Sequence, residues 1–202
     1  YIHTTWNSKW VQNNINWSAS PWDIDSAVFL SQYNLPWLKI ASASITNLPL
    51  LEYCASTYSN IIMSTGMSTE KEIDQAYKTL SRKNNTVTVL HCNSEYPTPP
   101  EDVNLNYLKR LKQKFPNSKI GYSGHEYGLT TTICAVALGA EYIERHITLD
   151  KTMWGSDQMV SIEPHGMFKL VRGIKEIEMA TGSAVKKFTN KEKQKRETLS
   201  KI

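Results

Sequence analysis

Two histidines, His125 and His146, each follow a short apolar run that ends in a polar cluster. The runs are residues 119–122 and 142–143, and an Ala-, Leu- and Thr-rich segment, 129–139, separates them and closes on a glycine. This pattern predicts strand, helix, strand. Because a helical crossover makes the strands parallel, both histidines should emerge at the same sheet edge, where α/β proteins place active sites. Two imidazoles there can share a divalent metal ion; hydrogen-bonded core histidines are the alternative.

Lys39 lies inside an apolar run that reads PWLKIASA. A lysine in a buried strand is costly unless its ammonium group meets an anion. Two functional interpretations follow: a Schiff-base nucleophile, or a counter-ion for a phosphate or a carboxylate. A lysine whose ammonium group reaches solvent at the end of its strand is the structural alternative.

Hydroxyl side chains follow nearly every predicted strand. One serine in a turn carries no information, but five that converge around a lysine would form a set of neutral donors for an oxyanion such as phosphate. Tyr96 and Asp157 add groups that can handle a proton or contact a sugar hydroxyl. The five serines are Ser20, Ser42, Ser64, Ser94 and Ser123.

Two of the remaining acidic residues, Glu126 and Glu144, lie near the histidines in sequence. We expect the side chain of Glu144 to alternate away from its strand neighbours. His91 precedes a cysteine at another strand end and is predicted to pack in the core, whereas His3 and His165 are predicted at the surface.

Alternating strands and helices must position these side chains. The spacing of the apolar runs is close to the roughly 30 residues per unit of an eight-stranded barrel. The segments between them begin with helix-start signals: Asp23, Asn47, the Thr69 and Glu72 capping box, and Asn104. The six predicted strands are residues 15–19, 38–41, 61–63, 87–90, 119–122 and 142–143.

This alternation predicts a parallel sheet, either doubly wound or closed into a barrel. Every predicted strand ends in small or polar residues, which favours a barrel, because an open sheet concentrates its ligand groups at one point. About six βα units predict an incomplete (β/α)8 TIM barrel. Two units, roughly 60 residues, should then precede residue 1, in keeping with an amphipathic start that contains Trp6 and Trp10.

The 202 residues suffice for one domain, and 40% hydrophobic with 21% charged residues is ordinary for a globular protein. Much of the net charge of +4 lies in the tail, 186–201. That tail has no aromatic residues interleaved with its bases beyond Phe188, so we expect no nucleic-acid partner but a solvated helix or a frayed end. We divide the chain into a partial barrel, 1–182, and a basic polar tail or linker, 183–202.

The three cysteines, Cys54, Cys92 and Cys134, are odd in number and lie in apolar sequence. We expect small buried side chains in a reducing compartment rather than disulfides or a zinc site. No apolar run approaches 18 residues, and the first residues do not resemble a signal peptide. The expectation is a cytoplasmic protein that contacts no membrane.

Several strand-end strings, taken in order from about residue 18 to 164, resemble the sialic acid synthase family. These enzymes condense phosphoenolpyruvate with N-acetylmannosamine or a related sugar. No single string is decisive, but the ordered set is very specific. The strings are SPWD, LKIAS followed by TNLPLLE, IIMSTGMS, LHCNSEYPTPPEDVNL, GYSGHEYG, AVALGAEYIERHITLDKTMWGSDQ and SIEP.

The resemblance implies a role for each candidate residue. His125 and His146 would bind a divalent metal ion, usually Mn2+, with Mg2+ or Co2+ as alternatives, that polarises the aldehyde of the open-chain sugar. Lys39 and the five serines would hold the phosphate and carboxylate of phosphoenolpyruvate, which makes Lys39 a counter-ion. Tyr96 and Asp157 would contact the amino sugar. A homodimer is implied for the full-length protein.

The chain also departs from the family pattern. The family usually carries a Glu or Asp two residues after the serine that follows the lysine strand, and this chain has Ser44 there. The resemblance implies that the first two barrel strands and a C-terminal antifreeze-like domain would lie outside these 202 residues. Alternative readings are a synthase for legionaminic or pseudaminic acid, a synthase for a 9-phosphorylated sialic acid, or an inactive sugar-binding barrel.

Overall fold

Consecutive strands are neighbours in a single parallel sheet, in the order β1-β2-β3-β4-β5. This computed structural model describes residues 13–200. A doubly wound sheet requires a reversal of strand order, so an order that follows the chain fits a barrel that is incomplete. The strands are β1 (Leu38–Ile40), β2 (Asn60–Ser64), β3 (Thr86–Cys92), β4 (Ile120–Gly124) and β5 (Tyr142–Arg145).

Helices connect the strands, as the sequence predicts for parallel neighbours. Short 3-10 turns cover Ser42–Ser44 and Gln158–Val160. The helix Leu48–Thr57 packs against the helix Glu70–Leu80, and the helix Thr130–Ala137 packs against the helix Pro164–Thr181. The helices are α1 (Ile24–Leu30), α2 (Leu48–Thr57), α3 (Glu70–Leu80), α4 (Pro100–Val103), α5 (Tyr107–Lys114), α6 (Thr130–Ala137), α7 (Pro164–Thr181) and α8 (Asn190–Leu199).

Three of the four predicted helix starts are confirmed. The Asp23 carboxylate accepts a hydrogen bond from the Ser26 amide, and Asn47 caps α2. Thr69 and Glu72 form the predicted capping box of α3. The fourth start is wrong, because Asn104 adopts a left-handed conformation that ends α4, and α5 begins three residues later.

Alternation along β1 explains how an apolar strand can present a lysine. Leu38 and Ile40 are fully buried in the core, so the side chain between them points to the opposite side of the sheet. The core also takes the predicted stripe of α3, in which Ile73, Ala76 and Leu80 are buried. Burial of this stripe fixes the helix against the sheet and leaves the strand ends free to form a site.

The predicted strand at 15–19 does not form. The segment contacts the residue before β1 through a side chain: the Ser18 hydroxyl donates to the Trp37 carbonyl at 2.6 Å. A segment at a sheet edge has a neighbour on one side only, so it can form about half as many backbone hydrogen bonds as an inner strand. The described residues therefore hold five strands rather than six. Residues 1–12, with Trp6, Trp10 and His3, lie outside the described part.

Past β5 the described residues form one isolated bridge. Ile147 forms a single parallel bridge with Ile162, and the Ile162 amide donates to the His146 carbonyl at 2.7 Å. The segment that leads into α7 therefore lies beside the residues that directly follow β5. Toward the C-terminus, α8 is exposed throughout, as predicted for a solvated helix. Within residues 13–200 no helix is long and apolar enough to cross a membrane.

Candidate active site

One cavity of about 520 Å³ opens at the carboxyl ends of the strands. Its lining includes all ten residues that the sequence singles out. Side chains from every strand end meet there, which is the arrangement that a barrel produces and an open sheet does not. The ten residues are Ser20, Lys39, Ser42, Ser64, Ser94, Tyr96, Ser123, His125, His146 and Asp157.

The ammonium group of Lys39 has three polar neighbours. Its Nζ donates to Ser64 Oγ at 2.8 Å and to the Ile40 carbonyl at 3.2 Å, and it lies 3.5 Å from Glu144 Oε2. Burial lowers the pKa of Lys39 below its ordinary value, and the Glu144 carboxylate opposes that shift. Three acceptors match the three donors of an ammonium ion, which favours the counter-ion interpretation over a free amine.

A second group of hydroxyls lies beside Lys39. The Gly66 amide donates to Ser42 Oγ at 3.0 Å. A Cβ on Gly66 would collide with Ser94 Oγ and come within 2.9 Å of Ser42 Oγ, so a larger residue there would displace the two hydroxyls. Hydroxyls and a backbone N–H next to a lysine are the donors that an oxyanion needs.

The hydrogen bonds of His125 define its tautomer. Its Nδ1 lies 2.7 Å from the Asn93 carbonyl, which can only accept, so Nδ1 carries the proton and Nε2 offers a lone pair. The Tyr96 hydroxyl lies 3.1 Å from that Nε2, and the two rings stack at 4.1 Å. Burial raises the pKa of Tyr96 to about 12, so its hydroxyl is a donor at neutral pH.

His146 is oriented in a similar way by a carboxylate. Its Nδ1 lies 3.3 Å from Asp157 Oδ2, which leaves Nε2 available. Burial, and then the neighbouring His125, lower the pKa of His146, so the ring is neutral near pH 7. The two imidazoles meet edge to face, with centroids 5.1 Å apart.

These donors fit a divalent metal ion with two protein ligands. Each ring has its Nδ1 engaged by an outer partner, as in metal sites, and its Nε2 carries the lone pair, which on His125 the Tyr96 hydroxyl faces at 3.1 Å. Residues 13–200 contain no group of three His, Cys, Asp or Glu side chains able to hold a metal. Water and substrate oxygens would have to complete the shell, and imidazole donors favour a transition metal over Ca2+.

The prediction for Glu144 is wrong. Its carboxylate lines the cavity, accepts a hydrogen bond from Ser123 Oγ at 2.7 Å and faces Lys39. Side chains two residues apart on a strand share a face, so Glu144 must point the same way as His146. That spacing was present in the sequence and could have identified the residue.

Cysteine and histidine predictions have mixed outcomes. Cys54 and Cys92 are buried, although Cys92 also lines the cavity, whereas Cys134 is exposed on α6. The core prediction for His91 is confirmed: its Nε2 lies 2.6 Å from the Val103 carbonyl. His165 is exposed, as predicted.

Ser44, the departure from the family pattern, is buried in the 3-10 turn after β1. It does not line the cavity. Within the described residues, the carboxylates that line the cavity are those of Glu144 and Asp157.

Residues 3–186 match the NeuB family. The chain belongs to that family. This NeuB-family chain is 41% identical over 172 residues to N-acetylneuraminate-9-phosphate synthase of Homo sapiens, a match that covers 85% of the chain and 48% of the relative. It is 40% identical over 184 residues to N,N'-diacetyllegionaminic acid synthase of Campylobacter jejuni, covering 90% and 55%. The NeuB-family chain thus spans about half the length of these relatives.

A solved structure agrees with the sequence matches. The N-acetylneuraminic acid (sialic acid) synthetase of Leptospira borgpetersenii, in complex with citrate, superposes with a TM-score of 0.85 at 34% identity. The alignment covers 96% of this NeuB-family chain and 68% of the other chain. The family predicted from the ordered strings is therefore confirmed, and the five parallel strands form about half of a barrel.

Proposed function

We propose that this chain carries the condensing site of an acidic-sugar synthase that joins phosphoenolpyruvate to an N-acyl amino sugar and releases phosphate. The observation that supports it is the convergence of Lys39, the serine hydroxyls and two histidines on one cavity. A cation with neutral donors suits a phosphate and a carboxylate, and two imidazoles suit a metal ion that would polarise an aldehyde.

In the proposed reaction the C3 carbon of phosphoenolpyruvate attacks the aldehyde carbon of the open-chain sugar. A carbon–carbon bond forms, and the aldehyde oxygen takes up a proton. Water then adds to the cation at C2, and cleavage of the C2–O bond releases inorganic phosphate. Lys39 and the serines would hold the phosphoenolpyruvate, and Tyr96 and Asp157 would contact the sugar.

A metal ion bound at His125 and His146 would supply a Lewis acid for the carbonyl oxygen. The protein itself would orient the two imidazoles through Asn93 and Asp157, and would place the phosphoenolpyruvate between them and Lys39. Glu144 and Asp157 are the carboxylates available for proton transfer.

The two relatives are named for different acid sugars, so the sugar substrate of this chain is not decided by similarity. Identities of 41% and 40% do not separate a 9-phosphate sialic acid synthase from a diacetyllegionaminic acid synthase. N-acetylmannosamine itself, its 6-phosphate and a diacetamido sugar are the candidates to compare. We expect the complete protein to act as a cytoplasmic homodimer, which light scattering would check for the oligomeric state.

Phosphate release by the complete polypeptide tests the proposal. Each candidate sugar is mixed with phosphoenolpyruvate and Mn2+, and phosphate and the nine-carbon acid are measured together. Matched reactions omit the sugar or the metal. Phosphate without the acid product, or neither with any candidate sugar, would contradict a synthase.

Ser44 supports a second candidate, a barrel that binds a sugar without reacting it, because the family carboxylate is missing there. Metal binding separates the two functions. A binding barrel has no need for an ion at His125 and His146, whereas the synthase requires it. Sugar binding without Mn2+ binding and without product would favour the binding barrel.

A further inference from the structure

A buried ion pair lies directly behind the two histidines and has no part in the proposed reaction. Arg145 Nη1 is 2.9 Å from Glu126 Oε1, and both side chains are only 2% exposed. Arg145 immediately precedes His146 in the chain, and Glu126 immediately follows His125. Such a pair is a weak source of stability, because removing two charges from water offsets most of their attraction. Its position therefore needs another explanation.

The two histidines lie where the ladder between β4 and β5 stops. Gly124 and Arg145 are the last paired residues of these strands, so the next register position is that of His125 and His146. The carbonyls of the histidines bond elsewhere: His125 accepts from Thr98 and His146 from Ile162. No ladder hydrogen bond of β4 and β5 therefore fixes the separation of the imidazoles.

The guanidinium group of Arg145 bridges this gap. Its Nη2 donates to the main-chain carbonyl of Glu126 at 2.7 Å, and its Nη1 donates to the Gly128 carbonyl at 3.1 Å. The residue before one histidine thus clamps the backbone after the other. A planar group with donors in a fixed fork holds two backbone segments at a defined distance, which a flexible lysine does not.

The Glu126 carboxylate is held as firmly. Its Oε2 accepts from the Tyr122 hydroxyl and its Oε1 from Thr132 Oγ1, both at 2.7 Å. A Cβ at Gly124 would come within 2.5 Å of Oε2, so a larger residue there would displace the carboxylate. The Nε–H of Arg145 is buried and has no acceptor among the described residues. An unsatisfied buried donor lowers the stability of the fold, which argues against stability as the role of the pair.

We infer that Arg145 and Glu126 are positioning residues that set the distance and tilt between His125 and His146 and thereby the affinity for a divalent metal ion. The inference rests on the proposed metal role of the histidines. Partners outside the ligands of a metal site commonly change metal affinity by 10- to 100-fold. We expect about tenfold here, since the clamp acts through the backbone.

The test is the affinity of the complete polypeptide for Mn2+ in the absence of substrates. Electron paramagnetic resonance measures the free Mn2+ in the titration. The double variant Arg145→Met with Glu126→Leu removes both charges together, so no buried charge is left unpaired. Arg145→Lys keeps the positive charge and loses the fork. The matched control, Arg82→Met with Glu52→Leu, makes the same changes in an exposed pair with a 3.4 Å contact.

We expect the double variant to bind Mn2+ about tenfold more weakly, Arg145→Lys several-fold more weakly, and the control within twofold of the unmodified protein. Urea unfolding of each variant monitors the fold. Unchanged Mn2+ affinity in a folded double variant overturns the inference, and so does an unmodified protein that binds no Mn2+. Unfolding of both Arg145 variants overturns it too, because the pair would then serve the fold.

Phosphate release distinguishes this inference from the proposed function. If the unmodified protein makes product but the double variant keeps its Mn2+ affinity, the synthase stands and the positioning role fails. If the variants lose Mn2+ affinity while the unmodified protein makes no product from any sugar, the positioning role stands and the synthase fails.

Discussion

Ser123 on β4 and Glu144 on β5 are register partners, and the Ser123 hydroxyl donates to the Glu144 carboxylate at 2.7 Å. The same carboxylate faces Lys39 across the cavity at 3.5 Å. One acidic group thus joins the lysine and serine of the proposed phosphoenolpyruvate subsite to the strand that carries His146. It does so in a chain that has Ser44 where the family usually has a carboxylate.

We expect Glu144→Gln to reduce kcat for phosphate release by about 100-fold, the usual worth of a positioned proton-transfer group. KM for phosphoenolpyruvate should not rise, because the amide no longer competes with the substrate for Lys39. Steady-state kinetics check both values. Glu141→Gln is the control, since Glu141 pairs with Lys112 on the surface. An increase in KM with unchanged kcat would show that Glu144 helps to bind phosphoenolpyruvate and does not transfer a proton.

Lys39→Met should abolish phosphate release and raise the free energy of unfolding by roughly 1 kcal/mol, because burying a charged lysine is costly. Burial lowers the pKa of Lys39 from 10.5, so its charge destabilises the folded state. This penalty is full below the lowered pKa and fades as pH rises toward 10.5. Urea unfolding at pH 7 and at pH 10.5 should therefore show a smaller difference between variant and wild type at the higher pH.

The counter-ion role of Lys39 has a separate chemical test. Borohydride trapping with pyruvate-type substrates should leave Lys39 unmodified, because its ammonium group is engaged by Ser64 and faces Glu144. Mass spectrometry of the tryptic peptide measures the result. A reduced adduct on Lys39 would establish the Schiff-base alternative.

Gly66→Ala should raise KM for phosphoenolpyruvate at least tenfold, because a methyl group there would displace Ser94 and crowd Ser42. Affinity for Mn2+ should change little, since the histidines directly follow β4 and β5. Titration with phosphoenolpyruvate and with Mn2+ separates the two effects. Gly139→Ala, which has open space around its Cβ but a positive φ, controls for general backbone strain. Equal losses in both variants would exclude a specific role of Gly66.

Asp157→Asn should weaken Mn2+ binding about tenfold, because the amide orients His146 less firmly than a carboxylate. The pKa of His146 is lowered by burial and by His125, so protons should compete with the metal at this ring only below pH 6.5. Mn2+ affinity measured between pH 5 and 8 checks this. A competition centred above 6.5 would contradict the geometry.

Local sequence determined the alternating elements and the positions at which chemistry could occur. Strand period and helix caps act over a few residues, so five of the six predicted strands, the capping box at Thr69 and the position of Lys39 inside an apolar strand could be predicted directly. The ordered strings determined the family in the same way. The five serines, His125 and His146 follow from those strand ends.

Tertiary structure decided which of these side chains touch. Glu144 reaches Ser123 and Lys39 only through the register of two sheet neighbours, and the clamp between Arg145 and Glu126 depends on where the β4–β5 ladder ends. Segment 15–19 has the sequence pattern of a strand but does not form one. A strand needs a neighbouring strand to bond with, and the pattern of one segment does not show whether that neighbour is in place. Periodicity is a property of one segment, whereas contacts across a cavity depend on the packing of several segments at once.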